Sequence, residues 1–592
     1  MGLRSILVAL AFAALAGQAR AEGCTLERLA ELPVTMSGLR PLIPAKVNGH
    51  DALFMADSGA FFSIMSPAAA KKFGLKIEPS PFGFYVLGAS GKANASVVTS
   101  PTFELGGIPF RKVDFLIIDH AVGGDEAAGV IGQNLLRSAD IEYDLANGLI
   151  RLFHTKNCEH ADLAYWALHS SFSVISIDRT EPSWPHIQGV AYVNGVRLNV
   201  MFDTGASTSV LTLRGAARAG LKKTDEGVKE GGLTRGIGDR APTESWIAPV
   251  ASFKLGEEEV KNTRLRVADV ELSNADMMIG ADFFLSHRVY ISPGRRELYF
   301  SYNGGSVFDL TTKPSVDPAP AAAPSDTSAP DAFSNAPTDA DGFSRRAAAA
   351  KARHDYPAAI ADLTKAIALD PKEAKYPYQR AMAEWSNKQS DLAVADLDLA
   401  IKLDPKDVVA LINRANLRSV AKDKVGAKQD LDKDAQLLEP DAKEHLVLGG
   451  LYERDGFYVE AVEQYSQWIA THDKTDGLAE GLNARCWARA EWGHDLDKAL
   501  DDCNAALKLS PGVPAYLDSR GLVHLRMNDL ALSIADYQAA LRDRPKEAWS
   551  LYGKGLAEAK KGLKAESEAD LKAAVAADPE IADKAKAVGV EP

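Results

Sequence analysis

The order of apolar and polar positions divides the chain into three stretches of different texture. Ile6 to Gly17 is a short, almost wholly apolar run, preceded by Arg4 and followed by Ala19-Arg20-Ala21. From about residue 35 to 305, short β-type runs alternate with glycine-rich turns. Lys46-Val47-Asn48-Gly49-His50 and Tyr192-Val193-Asn194-Gly195-Val196 each place Asn-Gly between apolar segments, which predicts tight hairpins. From about Thr311 to Gly342, Pro314, Pro318, Pro320, Pro324, Pro330 and Pro337 sit among Ala, Ser, Thr and Asp. Such a stretch has nothing to bury, and a flexible linker is expected. Beyond it the apolar positions take helical spacing, as in Ala393, Leu397, Ala400 and Ile401, preceded by Tyr378, Ala381 and Trp385.

The helical stretch repeats. Asp370-Pro371, Asp404-Pro405, Glu439-Pro440, Ser510-Pro511, Arg544-Pro545 and Asp578-Pro579 punctuate it, most often 34 residues apart. Paired helices at that period resemble tetratricopeptide repeats, and Arg520-Gly521 with Tyr537, Ala540 and Pro545 resembles that family's consensus. About seven helix pairs and a short cap are expected over 343–592. The resemblance implies a concave groove that holds a peptide or a partner protein.

The β stretch is duplicated. Phe54-Met55-Ala56-Asp57-Ser58-Gly59-Ala60 is echoed by Val200-Met201-Phe202-Asp203-Thr204-Gly205-Ala206, the aspartates lying 146 residues apart. Downstream, Val130-Ile131-Gly132 is echoed by Met278-Ile279-Gly280, with the glycines 148 apart. The doubled pattern resembles the aspartic proteases of the retropepsin and pepsin group. The expected fold class is therefore multidomain: an all-β, bilobal aspartic-protease fold followed by an all-α tetratricopeptide solenoid. The expected divisions are lobe 1 at 22–160, a connection at 161–184, lobe 2 at 185–310, the linker at 311–342 and the repeats at 343–592.

The resemblance implies that Asp57 and Asp203 form a catalytic dyad. Two adjacent carboxylates do not both ionise easily, so they share a proton. One then serves as base on a bound water while the other polarises the scissile carbonyl. Because the titration belongs to the pair, neither role is assigned to one residue at this point. Gly59 and Gly205 would let the loops approach, and Ser58 and Thr204 would hold them together. Covering flaps are expected around Tyr85 and Gly88 in lobe 1 and around Gly236, Ile237 and Gly238 in lobe 2. The mechanism needs no metal and no organic cofactor. Phe61-Phe62 stand where the second motif has Ser207-Thr208, which leaves open a distorted first loop. A catalytically inactive peptide-binding adaptor is the alternative to an endopeptidase. His186, His287, Asp276 and Asp282 lie near the second lobe's motifs and are read as structural or surface residues.

Composition changes this picture little. The chain has 592 residues and a formal net charge of −13, which disfavours nucleic acid as a partner. The substrate would be a protein or peptide. The N-terminal pattern reads as a secretory signal peptide over 1–21; its run is too short to span a bilayer. A periplasmic or secreted location is expected, without stable membrane insertion. In an oxidising compartment the four cysteines become candidate disulfides, Cys24 with Cys158 and Cys486 with Cys503.

Overall fold

Both Asn-Gly pairs form the turns that their chemistry favours. Asn48 and Gly49 have φ of 50° and 79°, and Asn194 and Gly195 have 51° and 77°, the left-handed pair required by a two-residue hairpin. The structure is a computed structural model that describes residues 23–80, 85–118, 124, 126–137, 139–167, 171–178, 186–234, 236, 241–272, 274–308, 337–472 and 477–591. The expected signal peptide and most of the expected linker lie outside the described residues.

The hairpins seed two matching sheets. In the first lobe, the strand His50–Ala56 lies between Arg40–Val47 and Gly129–Ile131 in a nine-stranded sheet. In the second, Val196–Phe202 lies between Gln188–Val193 and Met277–Ile279 in a seven-stranded sheet. In each lobe the strand ending at the aspartate runs parallel to the downstream Ile-Gly strand, Ala56 opposite Ile131 and Phe202 opposite Ile279. The two echoes seen along the sequence are thus neighbours in space.

A third sheet of six strands joins the lobes, in the order Thr25–Pro33, Leu149–Lys156, Asp140–Asp144, His287–Ser292, Glu297–Tyr302 and Ser173–Ser176. Its central pairing crosses the lobe boundary, Tyr143 opposite Val289. Glu142 is fully buried there. It accepts from Arg288 Nη2 at 2.8 Å and is also bonded by Arg151, whose Nε donates to Glu31 at 2.8 Å. A buried carboxylate is tolerable only when paired in this way. Cys24 and Cys158 are joined by a disulfide beside the outer strands.

The chain divides into two compact units, Met1–Pro371 and Lys372–Pro592, so the first helix pair belongs with the β body. The helix Ala340–Ala352 starts three residues before the expected start of the repeats at 343, because Asp339 caps it by accepting from Gly342 N–H at 2.7 Å. It packs on the strand Thr35–Ser37 and the turn Leu145–Asn147. Ala349 is fully buried in the main β core, and Arg353 donates to the Leu285 carbonyl at 3.0 Å. Gly148, with φ of 69°, is where the helix comes closest: a Cβ there would lie 2.7 Å from that of Arg345. Its partner Tyr356–Leu369 is held by a bidentate ion pair, Arg346 to Asp362, both bonds 2.7 Å.

Among the described residues the second unit holds six further helix pairs, from Lys375–Ser386 to Lys564–Ala577, and the short helix Ile581–Ala587. The same ion pair recurs along it: Arg380 with Asp396, Arg414 with Asp430, Arg485 with Asp502 and Arg520 with Asp536, their Nε–O distances 2.6 to 2.9 Å. Lys554 with Asp570 takes the place in the last pair, and His445 with Gln464 bridges the pair that lacks it. Cys486 and Cys503 form a disulfide across one pair. Among the described residues no helix is long and apolar enough to cross a membrane.

The second disulfide closes a short loop, with a sequence separation of 17. Replacing both residues by serine is expected to lower unfolding stability by roughly 3 kcal/mol. Thermal unfolding of residues 372–592 within the full chain should therefore move down, and added reductant should move the parent to match the variant.

Candidate active site

Asp57 and Asp203 each leave a strand and enter a tight turn. Their backbone N–H groups donate to the Ile131 and Ile279 carbonyls at 3.0 and 2.9 Å, so the downstream strand fixes where each aspartate sits. Each turn then folds back on its own carboxylate. Asp57 Oδ1 accepts from Gly59 and Ala60 N–H, both at 2.8 Å. Asp203 Oδ1 accepts from Gly205 at 2.8 Å and Ala206 at 3.2 Å.

Four bonds lock one turn to the other. Ser58 N–H donates to Thr204 Oγ1 at 3.0 Å, and Thr204 N–H donates to Ser58 Oγ at 2.9 Å. The hydroxyls pass on the hydrogen bond, Thr204 Oγ1 to the Ala56 carbonyl at 2.8 Å and Ser58 Oγ to the Phe202 carbonyl at 3.1 Å. All of these groups are buried. The facing turns come so close that a Cβ on Gly59 would lie 2.5 Å from either carboxylate oxygen of Asp203, and one on Gly205 would collide with the Asp57 carboxyl. Only glycine fits at these two positions.

The two carboxyls hydrogen-bond each other. Burial raises the Asp57 carboxyl well above the usual carboxylate range, the charge of Asp203 raises it further, and the Gly59 and Ala60 peptide groups pull it only partly back. Asp57 is 7% exposed; Asp203 is half-buried. The first motif's loop is not distorted by its aromatic pair. Phe61 and Phe62 lie against each other, their rings tilted by 50°, while Gln133 and Asn134 N–H groups bond the Ala60 and Phe61 carbonyls at 2.9 and 3.1 Å, as Ala281 bonds Ala206 at 2.8 Å.

The covering hairpin of the first lobe pairs Gly88 with Gly91. Its tip reaches the second lobe: Glu271 N–H donates to the Ala89 carbonyl at 3.1 Å, and Gly236 N–H to Ser90 Oγ at 2.8 Å. Gly88 and Gly236 are thus brought near one another. Ile237, Gly238 and the Tyr85 side chain lie outside the described residues.

Asp282 and Asp276 act in the architecture. Asp282 accepts from the Ser209 N–H and hydroxyl, matching Asn134 with Ser63 in the first lobe. Asp276 is paired with Arg214 and Arg218. His287 is fully buried and bonded to Glu258 at 2.8 Å. His186 departs from the sequence reading, because its ring bonds the Gly59 backbone and lies in the field of Asp203. Tyr143, not singled out from the sequence, lies fully buried close to both aspartates; burial and then the charge of Asp57 push its hydroxyl up, so it stays neutral. Among the described residues no group of three His, Cys, Asp or Glu side chains is arranged to hold a metal ion.

The site's two-fold pattern has a counterpart among known families. The aspartyl protease family profile matches residues 43–135 and 190–283, one match per lobe. The N-terminal region is aspartyl protease-like. The tetratricopeptide repeat profile matches 345–408 and 519–580, so the helical region is a tetratricopeptide array. Among solved structures, a tetratricopeptide repeat protein from Parabacteroides merdae is 17% identical, covering 42% of this chain and 98% of its own, with a TM-score of 0.34. The C-terminal part of a repeat-containing protein from Cytophaga hutchinsonii is 16% identical, covering 42% and 99%, with a TM-score of 0.32. No curated protein matches the chain.

The buried carboxyl of the aspartyl protease-like region has a measurable signature. An acid held above its usual range binds its proton more tightly in the folded than in the unfolded chain. Its stabilising effect is complete below the unfolded pKa, about 4, and is lost as pH rises from there through the raised value of the folded chain. Asp57→Asn keeps the shape and the Oδ1 acceptor while removing the charge. It is expected to melt higher than the parent near pH 7, by about 1.4 kcal/mol for every pH unit between the unfolded pKa and the folded pKa or pH 7, whichever is lower. The gain should vanish toward pH 4, and equal melting at pH 7 would show that the carboxyl is not strained by its burial.

Proposed function

We propose that the β body is an aspartic endopeptidase and that the repeat array recruits its polypeptide substrate or a partner protein. The observation that carries this reading is the pair of hydrogen-bonded carboxyls, one of them raised by burial and by its neighbour, clamped by a matched set of cross-lobe bonds. A pair built so holds a single proton over a wide pH range. One carboxyl of the pair, protonated, would hydrogen-bond the scissile carbonyl while the other takes a proton from the attacking water. As the tetrahedral intermediate collapses, the leaving amine takes a proton from the pair, and the dyad returns to its starting state.

The array's contribution is concentration. A substrate segment held by the repeats is delivered to the cleft as an intramolecular partner. Export fits the same reading: the N-terminal pattern of a signal peptide is joined by two disulfides, and such bonds persist in oxidising compartments. We place the mature protein in a bacterial periplasm or a comparable exported space.

Purified residues 22–592 should cleave an unfolded protein or a mixed peptide library between about pH 4 and 8. Asp57→Asn and Asp203→Asn should each lose at least about a hundredfold in rate, as expected when one partner in proton transfer is removed. No cleavage by the parent at any pH, with peptides still bound, would replace the endopeptidase by a peptide-binding adaptor.

A further inference from the structure

Two residues occupy mirrored places beside the dyad, and they differ in kind. In the second lobe Gln188 pairs with Met201, and the Ile187 carbonyl accepts from Phe202 N–H at 2.9 Å. The next residue toward the cleft, His186, therefore stands opposite Asp203. In the first lobe Leu42 pairs with Met55, which puts Arg40 opposite Asp57 by the same register. Arg40 and His186 are 146 residues apart, the spacing of the aspartates themselves.

Arg40 turns to its own lobe. Its Nε donates to the Ser37 carbonyl at 3.4 Å, and its guanidinium lies against Gly124, leaving no room for a Cβ there. His186 turns to the dyad, bonding the Gly59 backbone across the lobe boundary. The symmetry of the duplicated fold is thus broken at the site by one titratable cation placed on the Asp203 side. The charged group acting on its ring is Asp203, with Asp57 hydrogen-bonded behind it; the Gly59 turn presents backbone to the ring.

We propose that His186 is a positioning residue of the dyad, tying the Gly59 turn to the second lobe and, as imidazolium, holding Asp203 ionised so that the shared proton resides on Asp57. This deepens, and rests on, the reading of Asp57 and Asp203 as a catalytic pair. Burial lowers the His186 pKa, while Asp203 and the Gly59 bond draw it back up. The imidazolium therefore forms on the acid side. An opposite charge at such range moves a carboxyl by a unit or more.

The test has two parts. In the pH profile of kcat/KM, His186→Gln keeps a donor for Gly59 but removes the charge. Its acid limb should move up by about one pH unit, roughly a tenfold loss on the acid side, with the neutral plateau kept within a few-fold. His186→Ala should show the same shift and a lower plateau. An unmoved acid limb in both variants, whatever the plateau, would reduce His186 to a packing role and overturn the proposal. The second part needs no cleavage: the His186 imidazole is titrated by NMR in the full chain and in Asp203→Asn. Coupling between two sites is reciprocal, so the midpoint should fall when the carboxylate is removed, and an unchanged midpoint would overturn the proposal. If the parent cleaves nothing while the midpoint falls, the His186–Asp203 coupling stands and the endopeptidase reading is what fails.

Discussion

Two carboxyls that repel when ionised have to be held within hydrogen-bonding reach of one another, and the rest of the β body is arranged to do so. The restraint is made mostly of backbone. Peptide N–H groups hold one oxygen of each carboxylate, the downstream strands hold the aspartate backbones, and Ser58 and Thr204 exchange bonds across the lobe boundary. Such bonds shift less than long side chains do and cost little conformational entropy once the sheets are formed. The glycines are the corollary: turns pulled this close have no space for a methyl group.

The six-stranded sheet behind the dyad carries the load from the other side. Its middle pairing takes one strand from each lobe, and the buried Glu142, shared by Arg151 and Arg288, crosses the same line. Removing any one of these charges would leave the buried cluster with an uncompensated charge, which is destabilising. The lobes are thus joined above by the hydroxyl exchange and below by an ion cluster, and neither can slide without breaking both. Tyr143 sits between these two levels, a neutral phenol in a place where a charge would compete with the dyad.

Much of this was legible in the sequence, because duplication writes its evidence twice. The Asn-Gly turns, the two aspartate motifs and the Ile-Gly strands each recur at nearly the same offset, and a lone copy of any would have said little. What was not legible depends on tertiary placement. His186 has no motif of its own; its meaning comes from strand register and from a turn more than a hundred residues away. Tyr143 reads as an ordinary strand aromatic until the pairing with the second lobe puts it beneath the dyad. Phe61-Phe62 breaks the echo along the chain, yet the two rings pack against each other and leave the backbone of the turn unchanged. In the array, the proline spacing announced the helix pairs, whereas the recurring Arg-Asp bridge was hidden, since each partner alone resembles a solvated charge.

The first helix pair reads along the chain as one more repeat, but Ala349 belongs to the core of the β body and Arg353 is bonded to Leu285. The covalent path through residues 309–336 is therefore not what attaches that pair. A single cut there would leave the fragments associated, held by a buried helix face, as a two-chain protein with the same interior. Insertions and deletions along that path would likewise be absorbed without moving the helix. Drift in its length and composition is free to accumulate, while the residues on either side of the Gly148–Arg345 contact are not free to vary independently.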